Sequence, residues 1–310
     1  MTENKLADYP KVYNIGHKEL ESFFDAPVTV EEKIDGSQFS FGKINGELIV
    51  RSKGRHIDVH NPDKMFFAAC NTVLLLSDKL LPEATYRAEY LQKPKHNTLA
   101  YNRVPENHLI IFDIDTANQC YMSHYAKGVE AERLGLEVVP HFFSGRISSF
   151  DEVRHHMGTE SCLGGQLVEG IVIKNYFQYG KDNKVLMAKY VSEAFKELHK
   201  PVRNVKNPHS KDIKASIIDS LHTQARWVKG VQRLRESGEL TDSPQDIGPL
   251  MKSISMDIKE ECEELIGAQL FEWAWRDICK GALRGFQQWY KDELAKKQFE
   301  GSTTGTTETK

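Results

Sequence analysis

The sequence predicts an α+β chain in which antiparallel sheets flanked by helices come first and an all-helical region follows. Two observations carry this prediction. Between about residues 26 and 190, short runs rich in Val, Ile, Phe and Tyr are separated by turn residues. From about residue 191 onward, the apolar residues recur at helical spacing instead.

The strand runs, in order, are 28–33 (VTVEEK), 47–52 (ELIVRS), 84–90 (ATYRAEY), 108–115 (HLIIFDID), 168–174 (VEGIVIK) and 184–190 (KVLMAKY). Asp35-Gly36, Asn45-Gly46, Gly164-Gly165 and the polar run 180–183 punctuate them. Phe39-Ser40-Phe41 before Asn45-Gly46, with Leu48-Ile49-Val50 after it, predicts a hairpin. Helices are expected near 63–80, 126–135 and 150–157. Beyond Tyr190 no alternating pattern occurs. Ile213, Ile217, Ile218 and Leu221 follow the helical period, as do Leu265, Ile266, Leu270, Trp273 and Ile278. Residues 240–244 and Gly248-Pro249 break the helices. The expected division is a catalytic domain over 1–198, a helical domain over 199–297 and a disordered Gly/Thr-rich tail over 298–310. Trp227, Trp273, Trp275 and Trp289 all fall in the helical part and are expected to pack in its core or an interface.

Composition excludes several classes. With 40% hydrophobic residues over 310 positions the chain can build a sizeable core, yet it holds no apolar stretch long enough to span a membrane. The N-terminal segment lacks the basic-then-apolar order of a signal peptide, so an intracellular protein is expected. The five cysteines are scattered, odd in number and form no CxxC, which argues for free thiols rather than zinc or disulfides. The net charge of −3 gives no general case for nucleic-acid binding. The distribution is more informative: Ala194 to Glu236 carries ten Lys/Arg against four Asp/Glu, which reads either as an electrostatic footprint or as a solvated helix face.

The sharpest chemical feature is Glu31-Glu32-Lys33-Ile34-Asp35-Gly36. A strand delivers a lysine into an Asp-Gly turn, which aims the amine rigidly and lets backbone approach a ligand. A lysine becomes a nucleophile when desolvation or nearby cations depress its pKa. Val168 to Lys174 forms a second strand with Glu169 at its head, and alternation places Glu169, Ile171 and Ile173 on one face. A carboxylate on an apolar face needs a metal or cationic partner. The strand ending at Lys189 adds a third charged strand end, completing a cradle suited to phosphates and a metal.

These residues resemble motifs of the covalent nucleotidyltransferases, the superfamily of ATP-dependent DNA ligases, RNA ligases and mRNA-capping enzymes. KIDG (33–36), EGIVIK (169–174) and the Lys189 strand resemble motifs I, IV and V. Arg51-Ser52-Lys53-Gly54 resembles motif Ia, Tyr86-Arg87-Ala88-Glu89 motif III, and Leu109-Ile110-Ile111-Phe112-Asp113 motif IIIa. The resemblance covers roughly 26–197 and implies the ATP-grasp-like ligase fold. An all-helical region in place of a β-rich domain after motif V is similar to the phage-type RNA ligase 2 family, which makes a phage or virus source compatible.

The resemblance implies ATP and Mg²⁺ (or Mn²⁺) as cofactors, and RNA 5′-phosphate and 3′-hydroxyl ends as substrates. A monomer is expected. Lys33 would carry AMP and Glu169 the metal. Glu89 would take the ribose hydroxyls, and Arg51 and Lys189, with Lys174 a weaker candidate, would hold phosphates. Phe112 would stack on adenine while Asp113 orients that strand end. The backbone at Glu32 and Ile34 would read the adenine edge, with Asp35 and Gly36 shaping the turn. One departure stands out: motif V usually carries two lysines one residue apart, and here Met187 occupies the first position. Lys184 or Lys181 could substitute, though neither is at the expected place. An ATP-dependent DNA ligase, or a non-catalytic nucleic-acid-binding protein on a ligase scaffold, remains an alternative. Outside the motifs, Lys93, Lys95, His96, Asn97 and Arg103 interleave cations and amides in a loop whose composition suits contact with RNA.

Overall fold

The computed structural model describes residues 5–117, 119–191 and 210–303. A short strand β1 (Val12–Asn14) precedes β2 (Val28–Lys33), β3 (Ser37–Ile44), β4 (Glu47–Ser52) and β5 (His56–Ile57). Helix α1 (Phe67–Leu76), β6 (Thr85–Tyr90), β7 (Leu109–Asp115), helix α2 (His124–Leu134) and β8 (Glu137–Val138) come next, then β9 (His141–Gly145), β10 (Gly170–Tyr179) and β11 (Val185–Val191). Helices α3 (Ser210–Leu221), α4 (Gln224–Ser237), α5 (Ile247–Ala282) and α6 (Phe286–Thr303) follow. The expected α+β order is therefore the observed one.

The strands form two sheets, ordered β1-β11-β10-β2-β9 and β5-β4-β3-β6-β7-β8. Pairing is antiparallel except at β1 with β11 and β7 with β8, which are parallel. The first sheet buries Val28, Val30, Ile171, Ile173, Leu186 and Ala188 against Phe23, Phe150 and Val153. Strand alternation then presents Glu31, Lys33, Val172, Lys174, Met187 and Lys189 on the opposite face, in register across three strands. The second sheet buries Phe39, Phe41, Tyr86, Ala88 and Tyr90 against α1 and α2. Its other face carries Arg51, Ser40 and Arg87 side by side, with Glu89 next to Gln38. Two apolar faces turned outward under helices and turns leave two polar faces to line a cleft.

Several expectations need correction. Residues 150–157 form short 3₁₀ turns rather than an α-helix. The buried anchors Phe150 and Val153 lie three apart, which suits three residues per turn. β1, β5, β8 and β9 are too short to show a period and were not foreseen. The 198/199 boundary lies outside the described residues, and α6 runs on to Thr303, into the stretch expected to be a disordered tail. Trp227, Trp275 and Trp289 are 45%, 52% and 57% exposed, so these three are not in the core of this chain. The 36-residue α5 is about 54 Å long at ~1.5 Å per residue, and it packs against α3 and α4 without enclosing these rings. Among the described residues no helix is long and apolar enough to cross a membrane.

Gly170 makes the β10–β11 contact possible: a Cβ there would lie 2.3 Å from the Tyr190 carbonyl oxygen. Gly170→Ala must push the two strands apart. The expected loss is about 1–3 kcal/mol of stability in chemical denaturation, and an unchanged midpoint would show that the strands separate at no cost.

Candidate active site

Lys33 ends the first sheet and Ser37 begins the second, so Ile34-Asp35-Gly36 is the crossing between them. Ile34 is buried in a small apolar cluster with Leu91, Leu99, Tyr101, Ile110, Val139 and Leu163 at the base of the cleft. Asp35 clamps the loop after β6: its carboxylate accepts the Thr98 and Leu99 N–H groups at 2.8 Å each, and its own N–H donates to the Tyr101 hydroxyl at 2.9 Å. Gly36 leaves no room for a side chain, since a Cβ would sit 2.9 Å from the Tyr90 carbonyl and 3.1 Å from Glu89 Oε2.

Across the cleft floor, the Lys33 ammonium donates to Glu169 Oε2 at 2.6 Å. The expectation that Glu169 shares a face with Ile171 and Ile173 is overturned. β10 begins at Gly170, and the bend before it releases Glu169 from alternation and turns it to Lys33. The expected depression of the Lys33 pKa is also absent. Burial pushes it down, but Glu169, Glu89 and Asp35 more than offset that, so Lys33 rests as a firmly held ammonium. Glu169 is in turn raised by burial against the pull of Lys33. Glu32 points away from the cleft. It accepts from Ser161 Oγ at 2.5 Å and the Cys162 N–H at 3.1 Å, anchoring the loop that leads to Glu169, and its own N–H is donated to Pro140.

Glu89 faces the cleft beside Gly36. Its Oε2 is buried with no hydrogen-bond partner among the described residues. Burial pushes the carboxyl up to about 8, with Lys33 pulling the other way. An unpartnered buried acceptor is a costly feature that a ligand hydroxyl would relieve.

Phe112 occupies a β-bulge. Arg87 pairs with Asp113 and Ala88 with Ile111, which leaves Phe112 without a cross-strand partner. Its carbonyl accepts instead from the Lys127 and Lys174 ammoniums, both at 2.6 Å. Those lysines also hold Glu31, at 2.6 Å and 2.7 Å, and Lys174 lies 3.1 Å from Asp113. Burial raises the Glu31 pKa, but Lys174 and Lys127 reverse this and hold it well below the usual carboxylate range. Lys174 is thus not placed as a phosphate ligand. It is 2% exposed and fully engaged behind the pocket. Asp113 accepts from the Tyr9 and Tyr176 hydroxyls as well, and Tyr9 stands edge-on to Phe112 at 5.2 Å.

The two remaining phosphate candidates are both paired with carboxylates from elsewhere in the chain. Arg51 meets Asp8 at 2.6 Å, and Lys189 meets Glu261 of α5 at 3.1 Å. Met187 is completely buried and lies one cross-strand row away from Lys189, beside Lys174, so it contributes nothing to the cleft. Of its suggested substitutes, Lys181 pairs with Glu19 on the surface, while Lys184 lies near enough to Asp8 to lower its pKa.

The loop residues divide. His96 accepts the Gln92 N–H on Nδ1 and lies 2.8 Å from Ser37 Oγ through Nε2, and Asn97 donates to the Gly36 carbonyl at 2.8 Å. Arg103 is committed to Glu137 through both nitrogens, at 2.6 Å and 2.8 Å. All three thus have partners within the fold, while Lys93 and Lys95 are exposed. The reading of the sequence missed Arg87, Lys127, Tyr9, Ser37, Glu236 and Glu261. Ser37 Oγ donates to Glu236 Oε1 at 2.5 Å, tying α4 to the turn that follows Lys33. Glu31 and Arg87 were legible, since alternation puts them on the faces of Lys33 and Glu89; the other five carry no local signal.

Residues 26–191 match the RNA ligase family, which is more than half of the chain. The chain belongs to the RNA ligase family. Among solved structures it is similar to a mutant Naegleria gruberi RNA ligase with ATP and Mn, at 14% identity and a TM-score of 0.47, covering 60% of this chain and 56% of that one. It is also similar to an Aquifex aeolicus protein described provisionally as an ATP-dependent DNA ligase, at 18% identity and a TM-score of 0.42, covering 91% of this chain and 68% of that one. The chain therefore spans little more than half of the Naegleria protein's length. No curated protein sequence matches.

A metal would fit here in one mode only. Among the described residues no three acidic, His or Cys side chains cluster into a protein cage. Glu169, with the unpartnered Glu89 nearby, suits the mode in which Mg²⁺ takes one or two carboxylates and completes its shell from substrate phosphates and water.

Glu89 also gives a pH-dependent prediction. Its folded pKa of about 8 lies above the ordinary 4.5, so the folded state holds a proton that the unfolded state releases between those values. Wild-type stability should fall relative to Glu89→Gln as pH rises from 4.5 to 8, by no more than about 1.4 kcal/mol per unit. Parallel denaturation curves for the two proteins across that range would contradict the assignment.

Proposed function

We propose that this chain is an ATP-dependent RNA ligase of the phage-type RNA ligase 2 kind, acting as a monomer through a lysyl-AMP on Lys33. The observation that carries this reading is the Lys33–Glu169 contact at 2.6 Å beside the unpartnered carboxylate of Glu89. It supports reading Lys33 as the amine, Glu169 as the metal-binding carboxylate and Glu89 as the ribose acceptor, since all three lie around one crossing between two sheets. The helical region after β11 supports RNA ligase over the relatives that carry a β-rich domain there.

In the first step, Lys33 Nζ attacks the α-phosphorus of ATP, the bond to the bridging oxygen breaks and pyrophosphate leaves. The amine must first be neutral. Once a cation engages Glu169, Lys33 loses its nearest carboxylate and keeps only Glu89 and Asp35 against burial, so its pKa falls and its proton passes to solvent. A divalent cation on Glu169, Mg²⁺ or Mn²⁺, supplies neutralisation of the triphosphate charge. Glu89 receives the ribose hydroxyls, Phe112 offers its ring to adenine, and Arg51 and Lys189 receive phosphate oxygens. In the second step AMP passes from Lys33 to an RNA 5′-phosphate. In the third, an RNA 3′-hydroxyl attacks that phosphorus, forming the phosphodiester and releasing AMP. Positioning and charge neutralisation dominate all three transfers.

Incubation with α-labelled ATP and Mg²⁺ should leave label on the protein, and Lys33→Ala should abolish it. A protein that never acquires label would sink the proposal. Label followed by equal joining of strands that end in a 3′-deoxyribose would make it a DNA ligase, because the 2′-hydroxyl is what separates the two substrates.

A second expectation concerns Glu261, which holds the Lys189 ammonium that is to receive phosphate. Glu261→Gln should tighten the apparent affinity for ATP in the labelling assay by about fivefold, the equivalent of ~1 kcal/mol for one ion pair. Weaker affinity would mean that Glu261 supports the nucleotide rather than competing with it.

A further inference from the structure

Between the loop after β6 and helix α4 lies a groove of about 450 Å³, within the ~300–1,000 Å³ range of built ligand pockets. Its loop wall carries Lys93 and Lys95, and its helix wall carries Arg235, Trp227, Gln224 and Gln232. The two lysines are exposed, and among the described residues neither has an acidic partner. Among the described residues Arg235 has only a distant one, Asp242 at 3.7 Å. Trp227 is 45% exposed and is braced edge-on by His222 at 5.0 Å. Val228 and Val231 give the helix wall an apolar floor beside it.

The inner end of this groove is the active-site turn itself. His96 and Gln232, one from each wall, both meet Ser37 Oγ, at 2.8 Å and 3.3 Å. The same loop is pinned to Asp35 and Gly36 through Asn97, Thr98 and Leu99. Anything lying in the groove is therefore directed at the crossing that carries Lys33. Cations of one sign at the rim, amides between them and an aromatic platform on an apolar floor match a polynucleotide strand. Phosphates need the cations, and every base has a face that stacks. A groove of this volume admits single-stranded chain and is too small for a duplex.

We propose that this groove holds the single-stranded end of the RNA substrate, with phosphodiesters on Lys93, Lys95 and Arg235 and a base stacked on Trp227. The inference rests on the ligase reading above, and it names the part of the surface that brings the strand to Lys33.

The test is fluorescence anisotropy of a short 5′-phosphorylated single-stranded RNA, without ATP or metal, across a salt series. Lys93→Ala/Lys95→Ala should make the slope of log K against log salt shallower by about 1.4, at ~0.7 per phosphate contact on a single strand. Trp227→Ala should weaken binding about tenfold, and Trp227→Phe much less, since a ring is retained. Should Trp227→Ala fail to fold, the surface lysine variant and the Phe variant still decide. Unchanged affinity and slope in the lysine variant overturn the proposal. So does displacement of the RNA by polyglutamate at equal charge concentration, which would reduce the groove to a basic patch. Self-labelling of the wild-type protein with ATP is measured separately. Label without groove-dependent binding removes the groove and leaves the ligase reading standing; absence of label removes the ligase reading itself.

Discussion

The two sheets are joined behind the cleft by buried charge. Glu31 and Lys174 come from the first sheet, Phe112 and Asp113 from the second, and Lys127 from the helix laid over the second. Taking such groups out of water is expensive, and the cluster persists because nearly every donor and acceptor in it is used. The bulge at Phe112 frees one carbonyl from the ladder, and two ammoniums converge on it. Removing any member leaves an uncompensated charge in the interior. The relative placement of the sheets is therefore set by stoichiometry and direction, which apolar packing alone would leave softer.

Once the sheets are fixed, the cleft residues follow. The chain crosses from one sheet to the other in three residues, so the lysine that ends β2 must sit where the polar faces converge. Asp35 and Gly36 have no freedom there: one is consumed by the loop it clamps, the other by the backbone of β6 pressed against it. Glu169 is positioned from behind, because Glu32, facing the other way, anchors the segment that delivers it. Adjacent residues of one strand thus serve opposite faces. Lys33 meets the carboxylate, and Glu32 holds the loop on which that carboxylate is carried.

Much of this was legible in the sequence, for definite reasons. Strand and helix periods marked the two halves of the chain, and turn dipeptides marked the hairpin and the crossing. Lys33, Glu169 and Glu89 were identified by type and order, and they do converge. One group of failures has a common cause, which is that alternation holds only while the ladder is unbroken. Glu169 precedes its strand, and Phe112 and Asp113 straddle a bulge, so their directions could not be counted off. Lys174 lies at the foot of a motif that ends in lysine, and only the register with Thr29 and Met187 reveals that it is turned into the interior. Partners more than a hundred residues away, such as Asp113 for Tyr9 and Glu236 for Ser37, leave no local trace at all.

Charge accounting explains why the segments outside the family match are bound where they are. Among the described residues of the matched region no carboxylate forms an ion pair with Arg51 or Lys189, although Glu169 lies near enough to feel the Lys189 charge. Asp8 of the N-terminal segment and Glu261 of α5 supply the missing charges. Burial depresses the Lys189 pKa while Glu261 opposes that, so the helix is what keeps this lysine cationic in a poorly solvated place. The same face of the cleft also takes Arg87, whose guanidinium donates to the Ala7 carbonyl and to Ser40 Oγ and lies over the Tyr9 ring, while its Nε has no partner among the described residues. Two cations of the cleft, Arg51 and Lys189, thus each have a carboxylate beside them that comes from outside the matched region. A phosphate-bearing ligand would bring the same sign of charge to the same atoms, which makes docking of these segments and entry of such a ligand alternatives drawn from a single electrostatic demand.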